Sequence, residues 1–288
     1  MFNDPPPERR KTHPLEREPE RQANPVPPSQ RITLHIPSVT PTVTYALIAI
    51  NVLVFIVRLT SPELNEQIFL WGALHPPDVL ENGELYRLVS SMFLHASIFG
   101  ARDTIVVQNS LHIIFNMYIL YAVGTQIERL FGHVRFILVY LLGGLAGSVL
   151  SVVLSDASVY SVGASGAVFA ILAAEFVYLY QHRKLLGAQG RAQMRSLVIM
   201  AVFNLMFGVL SGVSGAALRI DNWGHIGGMI GGLALAWFIG PIFIVRRHPE
   251  QPNALLGEDI NPLRNRYWAL SLYIVALMAI LIIFRWVI

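Results

Sequence analysis

The chain has 288 residues, of which 54% are hydrophobic and 14% charged, and its net charge is +3. A soluble domain carries about 25% charged residues, so long apolar runs parted by short polar ones place this chain among polytopic, all-α membrane proteins. With no cysteine present, disulfides, thiol catalysis and thiolate-held metals are excluded, and the small basic excess, spread over the first segment and the polar connections, makes no case for nucleic acid.

Residues 1–40 are rich in Pro, Glu, Arg and Gln, with Pro5-Pro6-Pro7 and Pro25-Val26-Pro27-Pro28 within them. Such a stretch cannot build a helix or a sheet ladder and is expected to be a disordered tail. Its opening residues lack the apolar core of a cleavable secretory signal; a basic transit peptide is the lesser alternative, disfavoured by the acidic residues. Seven apolar spans follow, at 42–59, 105–124, 134–154, 164–181, 196–213, 223–244 and 267–287. Residues 60–104 form a long mixed loop, too interrupted to span, that is expected to fold onto the membrane face. The domain plan is therefore a tail (1–40), a six-span core (41–245), and a linker with a seventh span (246–288).

Basic residues orient the spans. Arg129, the group Arg183, Lys184, Arg191 and Arg195, and the group Arg246, Arg247, Arg264 and Arg266 fall in three alternate connections. Those connections are expected on the cytoplasmic side, with the N-terminus. Connection 155–163 has no basic residue and 214–222 has only Arg219. The second, fourth and sixth spans then run inward, so residues at their starts share a depth near the outer face.

Chemistry-bearing residues fall at those starts. Gly163-Ala164-Ser165-Gly166 opens the fourth span, and Gly224-His225 opens the sixth within a glycine-rich run. His112 and Asn116, one helical turn apart, lie on one face of the second span. A hydroxyl becomes a useful nucleophile beside a base, and unpaired N–H groups at a helix start suit a developing oxyanion. Ser165 is thus the candidate nucleophile and His225 its base. The Ser165 amide, Asn116 and His112 are candidate oxyanion donors. Asp221 is expected in the loop above His225, so the pair is a Ser–His dyad without an acid. Phe169, one turn below Ser165, could stack on the His225 ring. Each feature alone has a plainer reading: Gly-Ala-Ser-Gly as helix packing, His112 and Asn116 as a helix pin.

Other intramembrane polar groups read as structural: Glu128 with Arg129 at an inner turn, Asn204 as a packing amide, His95 as a loop-stabilising group. Glu175 has no assigned role. No His-Glu-x-x-His is present for zinc, no expected span carries an Asp for an aspartyl dyad, and no metal or cofactor is implied. A transporter is disfavoured, because the polar residues cluster at one surface rather than at the midplane.

These residues resemble the rhomboid intramembrane serine proteases over about 42–245. The resemblance rests on Gly163-Ala164-Ser165-Gly166, on His225 with Gly227, Gly228, Gly231 and Gly232, and on His112 with Asn116. Tyr86-Arg87 stands where the family has Trp-Arg, and Glu128, Gly132 and Arg135-Phe136 match the pattern after the second span. The resemblance implies a six-helix bundle with one extra C-terminal span (6+1). It implies cleavage of transmembrane protein substrates near the outer leaflet, with Gly163, Gly166, Gly228 and Phe169 supporting the site; the expected membrane, from the short tail and the lack of a targeting signal, is a plasma membrane, with an organellar membrane as the alternative. Lateral entry would be at the fifth span and the 214–222 loop. Tyr86 and Gly224 depart from the family's usual residues. A larger departure is the stretch 96–111, with Arg102-Asp103, which sets His95 and His112 seventeen positions apart and lengthens the outer loop. The rival reading is a catalytically inactive rhomboid-like protein that binds membrane clients.

Overall fold

The computed structural model describes residues 33–99, 106–213, 220–247 and 254–287. The tail residues 1–32, Arg102-Asp103 of the 96–111 stretch, and most of the 214–222 loop lie outside these.

A short strand, β1 (Thr33–His35), precedes α1 (Thr42–Arg58). The loop after α1 carries α2 (Pro62–Gly72), α3 (Pro76–Leu80) and α4 (Arg87–Ser90), the last running into a tight 3₁₀ turn at Ser91–Phe93. Ser61 starts α2 by accepting the Leu64 N–H at 3.1 Å, with Pro62 at the first helical position, where its missing N–H costs nothing. The next helix is continuous but uneven: α5 (Ser110–Ile119), a π-turn (Leu120–Gly124) and α6 (Thr125–Phe131). Gly132, at φ 77°, turns the chain into α7 (His133–Leu154). Then come α8 (Ser165–Gln181), α9 (Arg183–Val213), α10 (Asn222–Ile239), β2 (Phe243–Arg247), β3 (Ala254–Asp259) and α11 (Tyr267–Val287).

Among the described residues, four stretches are long and apolar enough to cross a membrane: Ser110–Phe131, His133–Leu154, Arg183–Leu210 and Leu263–Trp286. Thr42–Arg58 and Ser165–Gln181 are shorter apolar helices. Lipid tails give helices no hydrophobic reason to associate, so close packing of small residues does the work. The sequence supplies it in α7, α8 and α10. Gly147 approaches Gly166 and the Gly224 carbonyl, and Gly143 lies against Ala170. A Cβ on Gly228 would run into the Gly166 carbonyl, and one on Gly232 into the Ala170 carbonyl. As α8 advances from Gly166 to Ala170, α10 advances from Gly228 to Gly232 and α7 retreats from Gly147 to Gly143. Thus α8 and α10 run parallel, α7 antiparallel, and Ser165 and His225 start neighbouring helices at one end. From Ala167 to Ala174 every α8 residue is buried, which makes α8 the central helix.

The mostly helical expectation holds, with two differences. First, the polar connection 182–195 is not a loop: α9 begins at Arg183 and bends at Gly187 (φ 56°). Lys, Leu, Ala, Gln, Arg and Met dominate that stretch, all good helix formers. Second, β1 pairs parallel with β3, Thr33 to Ala254 through His35 to Leu256, and β2 pairs antiparallel with β3. This three-stranded sheet draws its first strand from the stretch read as a disordered tail and its third from the stretch read as a linker. Its strands are too short for hydropathy to register and need partners remote in sequence.

Candidate active site

The segment before α8 is pinned to the loop that follows α1. Ser161 and Leu74 exchange both backbone bonds, at 2.9 and 2.8 Å, and the Gly163 N–H donates to the Ser91 carbonyl at 3.0 Å. Gly163 has φ +139°, which a side chain would strain. Space is lacking too: a Cβ there would lie 2.8 Å from Cε1 and 2.9 Å from Nε2 of His112, and 3.6 Å from the Ser165 Oγ. The His112 imidazole edge and the Ser165 hydroxyl therefore converge on the space beside the Gly163 Cα. Val168 makes the first intrahelical bond, to the Ala164 carbonyl at 2.9 Å, so the amides ahead of it have no partner within the helix.

His225 comes from the start of α10. Asp221 caps that helix, its Oδ1 accepting the Gly224 N–H at 2.8 Å and its Oδ2 the Ser151 hydroxyl of α7 at 2.6 Å. Its carboxylate is thus committed to backbone and α7. The His225 ring is buried and stacks on Phe169, centroids 4.4 Å apart and planes at 21°. Its Nδ1 has no partner among the described residues. No hydrogen bond joins Ser165 to His225.

His112 and Asn116 sit on α5. His112 Nδ1 accepts the Ala96 N–H at 3.4 Å, which assigns the ring proton to Nε2, the atom facing Gly163. Asn116 is buried and donates to the His112 carbonyl at 2.8 Å, leaving its second amide hydrogen uncommitted by that bond. Ser165, Gly163, Ser91, Ser161 and Asp221 help line a cavity of about 30 Å³, room for a water and not for a peptide. A larger groove of about 520 Å³, between Phe176, Tyr180 and Trp237, is apolar and further along the helices.

The supporting residues have defined partners. Arg87 is buried and reaches Glu84 at 2.6 Å, the carbonyls of Leu70 and Ala73 at 2.7 and 2.8 Å, and Asp78 at 3.2 Å. The bond from Arg87, helped by one from Tyr86, holds the half-buried Glu84 carboxyl below the usual range. Tyr86 stacks on Trp71 at 5.0 Å. Glu128 caps α1, accepting from the Val43 N–H, the Thr44 N–H and the Thr44 hydroxyl at 2.9, 2.7 and 2.6 Å, and contacts His133 at 2.6 Å. Glu175 accepts from Gln193 of α9, and Asn204 bonds the Met200 carbonyl of its own helix at 2.8 Å. Residue-by-residue reading missed Ser91, Ser151 and the capping by Asp221, all contacts between distant segments. For Asp221 a signal was available: an Asp three residues before a glycine at a helix start is a capping pattern.

Residues 82–242 match the family model described as Rhomboid domain. The chain is 33% identical over 201 residues to "Rhomboid protease GluP" of Bacillus subtilis (strain 168), which covers 69% of this chain and 35% of that protein. To "RHOMBOID-like protein 6, mitochondrial" of Arabidopsis thaliana it is 33% identical over 168 residues, covering 58% and 48%. To "RHOMBOID-like protein 4" of the same plant it is 30% identical over 207 residues, covering 72% and 46%. The chain thus spans about a third to a half of the length of these curated relatives.

Proposed function

The chain belongs to the rhomboid family and is a multi-pass membrane protein, and from that premise we propose that it is an intramembrane serine endopeptidase working through Ser165 and His225. Ser165 Oγ attacks a peptide carbonyl while His225 takes its proton. The tetrahedral oxyanion is met by the Ser165 N–H, the Asn116 amide and the His112 Nε2–H. His225 returns the proton to the leaving amine, an acyl ester on Ser165 remains, and water hydrolyses it with His225 again as base. Without a carboxylate on Nδ1, the ring is oriented by Phe169.

The observation that carries this reading is the convergence at Gly163, where the His112 ring and the Ser165 hydroxyl meet beside the close α8–α10 contact that brings His225 alongside. The substrates proposed are transmembrane helices, cut near the outer leaflet after local unwinding, because a helical backbone hides its carbonyls in hydrogen bonds. A small residue before the scissile bond fits the tight surroundings of Ser165. The proposed topology has six core spans and a seventh, α11, with the N-terminus cytoplasmic and the dyad on the extracytoplasmic side of a plasma membrane.

The small, 30 Å³ cavity and the unlinked Ser165 and His225 are what a catalytically inactive client-binding protein would also display. Labelling of the purified chain with a fluorophosphonate separates the two. Covalent label on Ser165, lost in His225→Ala, supports the protease. A folded chain that takes no label is a binding protein.

A further inference from the structure

Arg58 ends α1 with its side chain buried at 2% exposure. Its Nη1 donates to the His95 carbonyl at 2.6 Å. The N–H of that same peptide unit belongs to Ala96, and it is the N–H that donates to His112 Nδ1 at 3.4 Å. A cation, one peptide and an imidazole therefore stand in series, ending at Gly163 and Ser165. Resting on the protease reading above, we propose that Arg58 is a positioning residue of the oxyanion site, acting through the His95–Ala96 peptide to keep the His112 proton on Nε2, where it faces Ser165.

Each link has a physical basis. A peptide is a resonance hybrid, so a cation on its oxygen draws density from nitrogen and makes the N–H a stronger donor. A donor held at Nδ1 leaves only Nε2 for the proton of a neutral ring. Among the described residues no carboxylate pairs with Arg58, so its charge acts on the carbonyl rather than on a counterion; its other close partner is the Phe69 ring, 5.9 Å from the guanidinium carbon. His95 does not compete for the role. Its ring lies 5.3 Å from that of His112, but both of its nitrogens lack a partner among the described residues. Burial, with His112 and Arg58 alongside, holds its imidazole well below the ordinary range and therefore neutral. The far side of the segment is fixed separately, by Asn109 Nδ2 on the Ser97 carbonyl at 2.5 Å. Removing Arg58 should thus loosen the one peptide that addresses His112 rather than the whole loop.

The test uses the full chain, labelled with ¹⁵N-histidine in lipid nanodiscs, with the His112 imidazole signals assigned by loss in His112→Gln. In the wild type, Nδ1 is expected to report an unprotonated nitrogen and Nε2 a protonated one; a proton on Nδ1 overturns the proposal with no variant needed. Arg58→Met and Ala96→Pro, which remove the cation and the N–H respectively, are expected to mix the two tautomers. Each should lower kcat on a transmembrane substrate about tenfold with KM nearly unchanged, less than the ~10²–10³-fold for deleting an oxyanion donor outright. Arg58→Lys, which keeps a charged donor, should restore both the nitrogen shifts and most of kcat. Unchanged His112 shifts in the Met and Pro variants, or a Lys variant no better than the Met variant, overturn the proposal. Failure of the protease reading shows separately, as a wild type that takes no fluorophosphonate at Ser165 while its nitrogen shifts still respond to Arg58.

Discussion

Glu128 and His182, at one end of the helix bundle, have every side-chain polar atom bonded, whereas Arg58, His95 and His225, at the other, do not. Glu128 takes donors from α1 on both oxygens. His182 bonds the Tyr178 carbonyl through Nδ1 at 2.8 Å and accepts the Phe243 N–H on Nε2 at 2.9 Å. Across the bundle, two guanidinium nitrogens of Arg58, both ring nitrogens of His95 and Nδ1 of His225 are buried without partners among the described residues. Glu175 Oε2 and Arg135 Nε are exceptions toward the first end. Buried polar groups are nearly always satisfied, and unsatisfied ones need a reason. Satisfied groups inside a membrane read as structure. A cluster of unsatisfied ones beside a serine reads as a place prepared for something transient, whether water or an unwound peptide.

Substitution can break that contrast, because one end should control turnover and the other stability. Ser165→Ala and His225→Ala should each cut cleavage of a transmembrane substrate by more than about 10³-fold, with expression and melting unchanged. Substantial residual cleavage in either would sink the dyad. Asn116→Ala should lower kcat by ~10²-fold; a change confined to KM would place Asn116 in substrate binding instead. At the far end, Glu128→Ala strands the Val43 and Thr44 donors, and should cost about 2 kcal/mol of stability while cleavage per folded molecule stays near wild type. A Glu128 variant as stable as wild type but inactive would erase the distinction between the ends.

The sequence made the unsatisfied end more legible than the satisfied one, for a physical reason. Ser165, His225, His112 and Asn116 stand out because polar groups near the start of apolar spans are costly and few. Charge-derived topology sets them at one depth, and the parallel course of α8 and α10 agrees with that for Ser165 and His225. The stacking of Phe169 on His225 follows from a one-turn spacing. The satisfied end is built from long-range pairings that no local pattern announces. Glu128 meets Thr44 across 84 positions, His182 meets Phe243 across 61, and β1 meets β3 across most of the chain. Arg58 was hidden differently: an arginine at the last turn of a span looks like an ordinary snorkelling residue, and only the fold shows it turned inward onto the His95 carbonyl.

The smallest expected effect tests how firmly the satisfied end is closed. His182, between α8 and α9, joins α8 to β2 with both ring nitrogens committed. Its Nδ1 must carry the proton to donate to the Tyr178 carbonyl, so Nε2 must stay bare to accept from Phe243. A second proton would set two N–H groups against each other. Burial lowers the His182 pKa from its ordinary 6.5, outweighing the favourable bond to Tyr178. The unfolded chain therefore binds more protons than the folded one as pH falls past 6.5, and stability is lost on acidification, down to the folded-state pKa. That contribution is fully present above 6.5. His182→Gln, which can still donate to one carbonyl and accept from one N–H but cannot titrate, should melt with a flatter dependence on pH than wild type between about one unit above 6.5 and one unit below it. Identical slopes would mean that the joint between α8 and the sheet tolerates a charged imidazole, and that the two ends differ less than their bonding suggests.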